Sequence, residues 1–281
     1  MRKVELVPGV HSSILGFGCA PILGAVGATQ ARRALDCAMD CGVNHFDLAR
    51  SYGYGEAEGF MGRYLRGKRQ HVVLASKFGI RANWKAQMLR PLKPWVRWMR
   101  TRRKDNVNTS PGLAAQNLNQ ADRFHDRIPL RGHAMRQSLH ASLRALRTDY
   151  LDVFFVHEPR EALEYQDELK GEAEKLKSEG KIRAWGLSFD WDSESFLKGS
   201  FDRFDLLQFN NSPGALHYDQ VKTSRSELPN LFFSPFRSVP AGMTASEMLK
   251  QMYGDFPNSV VLCSMFQERH IQQNSQIASD P

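Results

Sequence analysis

The sequence predicts an α/β fold, a single closed (β/α)8 barrel spanning residues 1–281 with a basic segment inserted after its third strand. Short apolar runs alternate with helical stretches eight times along the 281 residues, the pattern of parallel strands joined by crossover helices. Asp47, Tyr52, Lys77 and His157 fall at or just beyond the C-terminal ends of such runs. A parallel barrel gathers those ends on one face, so residues far apart in the chain can share a site. The alternative, an open doubly wound sheet, calls for a G-x-G-x-x-G turn between its first strand and helix, and the sequence has none there.

Residues 14–20 (I-L-G-F-G-C-A) read as the first strand, with glycines where something must approach the backbone. Thr29 is placed to cap a helix whose apolar face is Ala34, Leu35, Ala38 and Met39, and Gly42 follows as a C-terminal stop. The second strand ends at Asp47, and a short helix with Phe60, Met61, Tyr64 and Leu65 at helical spacing leads to the third, 72–77. The alternation then pauses. Residues 81–128 hold Pro91, Pro94 and Pro111, polar clusters, and the basic aromatic run W-V-R-W-M-R-T-R-R-K, and are read as an insertion. Met135, Leu139, Leu143 and Leu146 mark the next helix, 151–157 the fourth strand, and Leu169, Ala173 and Leu176 a helix ending at Gly180. Strands five to eight are expected at 182–188, 206–210, 231–234 and 260–263, with helices near 193–197, 215–221, 245–253 and 267–273.

An acid and a phenol at the mouth of one strand, with a lysine ending the next, suit carbonyl reduction. Hydride addition leaves negative charge on the carbonyl oxygen, and a positioned acid that protonates it lowers the barrier. A tyrosine near pKa 10 is a weak acid at neutral pH. A lysine cation about 4 Å away, at an effective dielectric near 20, is worth roughly 4 kcal/mol, or about three pKa units. Tyr52 is therefore expected as proton donor, Lys77 as the group that lowers its pKa, Asp47 as the anion holding Lys77 charged, and His157 as a hydrogen-bond donor to the carbonyl. No side chain supplies a hydride, so the chemistry implies a cofactor.

At these residues the sequence resembles the aldo-keto reductases: F-D-L-A-R-S-Y-G at 46–53, A-S-K-F-G at 75–79, V-H-E-P at 156–159 and K-I-R-A-W-G-L-S at 181–188. The resemblance implies a TIM barrel that binds NADP(H) in preference to NAD(H). By the same resemblance the nicotinamide stacks on Phe233 with its carboxamide near Ser188 and Gln208, and Phe189 stands where the family usually has Asn. Ser234, Phe236 and Ser238 occupy pyrophosphate-loop positions, and Arg237 replaces a small residue and adds charge. In the adenosine-phosphate segment the usual lysine is Ser264 and the usual arginine His270, with Arg269 adjacent, while Gln273 and Asn274 match adenine contacts. Gly18, Cys19 and Ala20, ending the first strand, complete the expected cofactor set. The implied function is NAD(P)H-dependent reduction of an aldehyde or ketone to an alcohol. A competing reading is a nucleotide-binding sensor or regulatory barrel subunit that engages a partner through the insertion; the departures at Phe189, Ser264 and His270 support it.

The net charge of +8 is local: the stretch 81–131 holds twelve Lys or Arg against Asp105, Asp122 and Asp126, a net of +9, leaving −1 for the rest. Three of the five tryptophans, Trp84, Trp95 and Trp98, lie there too. Such a segment fits a substrate lid, a protein or oligomer contact, or a phosphate-rich surface. As a lid its cations steer anionic carbonyl substrates inward. Nucleic acid is not the expected partner. No stretch approaches eighteen apolar residues and no leader pattern opens the chain, so a cytoplasmic protein without an integral membrane segment is expected. Cys19, Cys37, Cys41 and Cys263 lack metal or redox spacing and are expected to be buried thiols, with no metal site.

Overall fold

The computed structural model describes residues 1–89 and 123–279. An antiparallel hairpin comes first, β1 (Lys3–Val7) and β2 (Val10–Ser13). Pro8 and Gly9 turn between them. The barrel follows: β3 (Leu15–Gly18), β4 (His45–Asp47) and β5 (Val73–Phe78), then, past a small antiparallel pair of β6 (Ile80–Ala82) and β7 (His125–Arg127), β8 (Leu151–His157), β9 (Ile182–Phe189), β10 (Leu206–Asn210), β11 (Asn230–Phe233) and β12 (Val260–Cys263). The eight barrel strands pair in parallel in chain order, and β12 closes on β3, as the alternation predicts. All seven residues of β8 and all six of β5 are buried, because such strands are covered on one face by helices and on the other by the barrel's own filling.

Helices α1 (Ala28–Asp40), α2 (Ala57–Tyr64), α3 (Trp84–Met88), α4 (Gly132–Leu146), α5 (Gln166–Ser178), α6 (Glu194–Leu197), α7 (Tyr218–Arg225), α8 (Ala245–Asp255) and α9 (Glu268–Ile277) complete the described elements. The expected apolar faces are buried, Ala34, Leu35 and Ala38 on α1 with Met39 only half-buried, Met135, Leu139, Leu143 and Leu146 on α4, and Leu169, Ala173 and Leu176 on α5. Two details differ. Thr29 lies inside the first turn of α1, and Gly27, with no side chain to offer, occupies the cap. The seventh helix starts at Tyr218 rather than 215, since 212–217 form turns first.

Most of the expected insertion, including Trp95, Trp98 and the three prolines, lies outside the described residues. Its described edges are β6, α3 and β7, and Trp84 is 64% exposed. Cys19 and Cys263 are buried thiols, whereas Cys37 and Cys41, at the surface end of α1, are only half-buried. Among the described residues no helix is long and apolar enough to cross a membrane.

A buried ionic cluster sits at the barrel's N-terminal pole. Asp152, 1% exposed in β8, accepts from Arg69 Nη2 and from the Leu74 amide, both at 2.8 Å, and pairs with Arg183 at 3.1 Å. Arg69 also donates to the carbonyls of Val72 and Tyr150 at 3.0 Å and to Thr148 Oγ1 at 3.1 Å.

Candidate active site

The opposite pole is built from the ends of β4, β5, β8, β9 and β10. Asp47 closes β4 and is buried; its Oδ2 accepts from Lys77 Nζ at 2.5 Å and its Oδ1 from Gln208 Nε2 at 2.8 Å. Lys77, next to last in β5, donates also to the Leu48 carbonyl at 2.9 Å and to the Tyr52 hydroxyl at 3.3 Å. Three acceptors meet the three donors of an ammonium. Burial pulls the Lys77 pKa down, but the Asp47 carboxylate and the Tyr52 phenol outweigh it and hold the amine above the ordinary lysine range. The lysine stays charged.

Tyr52 is brought there by a tight turn. Gly53 follows it with φ +60°, and a Cβ at that position would meet the Ile22 carbonyl oxygen at 2.4 Å, so the turn requires glycine. Below the turn, Glu58 is buried and accepts from Ser76 Oγ at 2.6 Å, fastening α2 to β5.

The expected fall in the Tyr52 pKa is not what the geometry gives. Burial raises it, the Lys77 cation opposes, Asp47 raises it again, and the phenol is pushed up to about 12. Besides the Lys77 charge, the folded site brings desolvation and the Asp47 carboxylate, so the lysine offsets a penalty rather than producing a net drop.

His157 ends β8 with its ring 6.2 Å from that of Tyr52, edge to face. Burial, reinforced by the Lys77 and Arg127 cations, holds its pKa well below the ordinary histidine range. A neutral imidazole keeps one N–H donor and one acceptor. Its buried Nδ1 has no partner among the described residues, nor does the buried Oε1 of Gln208.

These groups line a cavity of about 440 Å³. Of the residues expected to hold a cofactor, Gly18, Ala20, Ser188, Gln208, Phe233, Ser234 and Ser264 line it. At Gly18 a Cβ would come within 2.8 Å of Ser264 Oγ, so glycine lets the two strand ends close together. Cys19 is not in the lining: its amide donates to the Asp47 carbonyl and its Sγ to the Phe17 carbonyl. Phe236 and Ser238 are also outside it, as are Arg269, His270, Gln273 and Asn274 on α9. Arg237 does line it, but pairs with Asp190 at 2.6 Å, so its charge is shared before any phosphate arrives. Phe189 turns away into an aromatic cluster with Trp191, Phe201 and Phe209, which explains how the chain tolerates it beside Ser188.

The chemistry of the lining fits a nicotinamide cofactor. The orphaned Gln208 Oε1 suits the N–H of a carboxamide, Ser188 lies beside it in register, and Phe233 offers a ring. Sequence reasoning missed Ser51, Ile80, His125, Arg127, Glu158 and Arg160 in this lining. His125 and Arg127 belong to β7, inside the stretch read as insertion, and no periodicity marks a three-residue strand. Glu158 follows His157 in V-H-E-P at φ +44°, a left-handed conformation that residue type does not advertise.

Residues 15–222 match the model of the aldo/keto reductase family. Aldo-keto reductase YhdN of Bacillus subtilis is 27% identical over 186 residues, which are 64% of this chain and 44% of that protein. A probable voltage-gated potassium channel subunit beta of Arabidopsis thaliana is 25% identical over 205 residues, 71% of this chain and 50% of that protein. The chain spans about half the length of these curated relatives or less. Among solved structures, an aldo-keto reductase of Klebsiella pneumoniae in complex with NADPH superposes with a TM-score of 0.66 at 21% identity, covering 99% of this chain and 89% of that one. The holo form of an aldo-keto reductase from Bacillus halodurans gives 0.68 at 21% identity, covering 99% and 90%. At that identity the likeness is one of fold. The family match stops at residue 222, before β11; of the residues expected from 233 to 274 to hold a cofactor, Phe233, Ser234 and Ser264 line the cavity.

Proposed function

The chain belongs to the aldo/keto reductase family, and on that premise we propose that it is an oxidoreductase that reduces an aldehyde or ketone to the alcohol, with Tyr52 as proton donor and NADP(H) as the preferred cofactor. The observation that carries this reading is the chain of contacts Gln208–Asp47–Lys77–Tyr52 ending at the cavity beside a neutral His157. When bound, a reduced nicotinamide supplies the hydride that no side chain here can deliver. Ser188, Gln208 and Phe233 would hold its ring and carboxamide, and Gly18, Ala20, Ser234 and Ser264 its approach along the strand ends.

The residues then divide the work. His157 donates one hydrogen bond to the carbonyl oxygen and fixes its direction. As the carbonyl carbon is reduced, the oxygen takes the phenolic proton of Tyr52, and the phenolate left behind sits against the Lys77 cation. Asp47 keeps that cation aimed, with Gln208 holding its second oxygen. A resting pKa of about 12 keeps Tyr52 protonated across neutral pH, which a proton donor requires. The phenolate is stabilised most when it forms, because its partner is already charged and oriented. The reverse sequence oxidises an alcohol.

The cofactor preference draws on the NADPH and NADP complexes of the Klebsiella enzymes. The whole of 1–281 is taken as one barrel unit, with 81–128 as an insertion in it. The test is reduction of a generic aldehyde by the purified chain with NADPH and with NADH, beside tryptophan-fluorescence titration of each nucleotide. Binding without turnover on any aldehyde or ketone overturns the reading. It would favour the second one, a nucleotide-binding regulatory subunit, which the similarity to a channel β subunit commends.

A further inference from the structure

Tyr52 stands on a turn that does not hold itself. Gly53, Tyr54 and Gly55 follow it with φ of +60°, +60° and +79°, three left-handed residues in succession, and Tyr54 adopts that conformation against the preference of an L-residue. The position of the phenol therefore depends on what fixes the two ends of the segment. Neighbouring residues of β5 grip both ends. Lys77 Nζ donates to the Leu48 carbonyl at 2.9 Å, before Tyr52 in the chain, and Ser76 Oγ donates to Glu58 Oε1 at 2.6 Å, after it.

Successive side chains of a strand point to opposite faces. Lys77 enters the cavity, where it also meets the Tyr52 hydroxyl at 3.3 Å, while Ser76 meets α2 on the outer side of the barrel wall. Both partners of the outer bond are buried, Ser76 at 0% and Glu58 at 5% exposure. Burial raises the Glu58 pKa, opposed first by the hydrogen bond from Ser76 and further by the charges of Arg50 and Lys77. A buried carboxyl is costly without partners, and the proton path itself makes no use of this one.

Resting on the carbonyl-reductase reading, we propose that Glu58 is a positioning residue for the proton donor: through Ser76 it ties the far end of the Tyr52 turn to β5 and so sets the contact between Tyr52 and Lys77. Without that tie the turn relaxes, the phenol spends less of its time against the ammonium, and the phenolate formed on proton transfer is less well stabilised. Ser188, Gln208 and Phe233 belong to other strands and keep their geometry for the cofactor.

The experiment uses the full chain with NADPH and a generic aldehyde. It measures kcat, KM and NADPH affinity by fluorescence for Glu58→Ala, Ser76→Ala and Glu58→Gln, alone and in the Tyr52→Phe background. Glu58→Ala and Ser76→Ala are each expected to lower kcat about 10-fold, with NADPH affinity unchanged and a larger solvent deuterium isotope effect on kcat, since proton transfer becomes slower. Glu58→Gln keeps an acceptor for Ser76 and is expected to retain most of the turnover. In the Tyr52→Phe background the first two substitutions are expected to cost about 2-fold or less, because they act through a hydroxyl that is gone. Ser76→Ala leaves the carboxyl in place, so the test stands even where Glu58→Ala does not fold. Unchanged kcat, a comparable further loss in the Tyr52→Phe background, or NADPH affinity falling in step with kcat overturns the inference and leaves the reductase reading standing. No aldehyde reduction by the unaltered chain, with NADPH still bound, overturns both.

Discussion

Two carboxylates are buried at opposite poles of the barrel, and their partners differ. Asp152 is held by two arginines and an amide, and its main partner Arg69 spends further donors on three neighbouring oxygens. Asp47 is held by a lysine and an amide side chain, and beside it the Tyr52 hydroxyl, Gln208 Oε1 and His157 face a cavity. An arginine fork fixes geometry and keeps its charge, which suits a staple. A lysine is a compact charge that can serve a neighbour whose own charge changes during a reaction. The comparison teaches that buried charge is structural where every donor is spent on the fold and chemical where atoms are left for a ligand.

The largest test of that contrast is Tyr52→Phe. Steady-state turnover is expected to fall about 10²- to 10⁴-fold, with NADPH affinity by fluorescence changed little and melting nearly unmoved; substantial turnover would remove Tyr52 as the acid.

Next come the ion pairs themselves. Asp152→Ala strands Arg69 and Arg183 and is expected to cost about 3–5 kcal/mol in urea denaturation, with the surviving folded fraction still active. The double variant Asp47→Asn with Lys77→Met removes a pair together and is expected to retain or gain stability while losing turnover. If the double variant unfolds and Asp152→Ala does not, the assignment of staple and site is inverted.

A smaller effect separates the poles by pH. His45, at the start of β4, is buried against Ser12 Oγ at 2.9 Å, and burial pushes its pKa down from 6.5 to about 4. The unfolded chain takes the proton first, so this stability is full above about pH 6.5 and drains as pH falls toward 4. Denaturation at pH 7 and 4.5 is expected to differ by on the order of 2 kcal/mol from this residue, and His45→Gln is expected to remove that share. An unchanged acid slope in the variant would mean another group carries it; His157, depressed in the same direction, supplies the remainder.

The smallest concerns the orphaned oxygen. Gln208→Leu is expected to weaken NADPH binding about 10-fold; unchanged affinity would mean Gln208 serves Asp47 alone.

Much of this arrangement was legible beforehand. The eight strands fall within a residue or two of their expected places, because continuous burial selects apolar runs and helical faces leave a 3.6-residue signature. The grouping of Asp47, Tyr52, Lys77 and His157 was legible because three of them lie at the C-terminal ends of strands, Tyr52 follows one of those ends by five residues, and parallel closure brings such ends together. The N-terminal hairpin was not anticipated, although Pro8–Gly9 is a turn signal. The presence of Arg127 and Arg160 in the cavity lining was not readable, since one lies in a three-residue strand and the other in a loop after Pro159.

The sequence by itself therefore determined the barrel, the family resemblance and which side chains meet at the candidate site, since these depend on local periodicity and on residue identity at and near strand termini. Tertiary structure decided the electrostatic balance. Whether Lys77 lowers the Tyr52 pKa, whether Arg237 is available to a phosphate and whether Phe189 meets a ligand all depend on burial and on partners distant in the chain. The folded site answered the first two differently from the sequence expectation and turned Phe189 into an aromatic cluster, because desolvation, charge compensation and packing are sums over neighbours that no linear pattern contains.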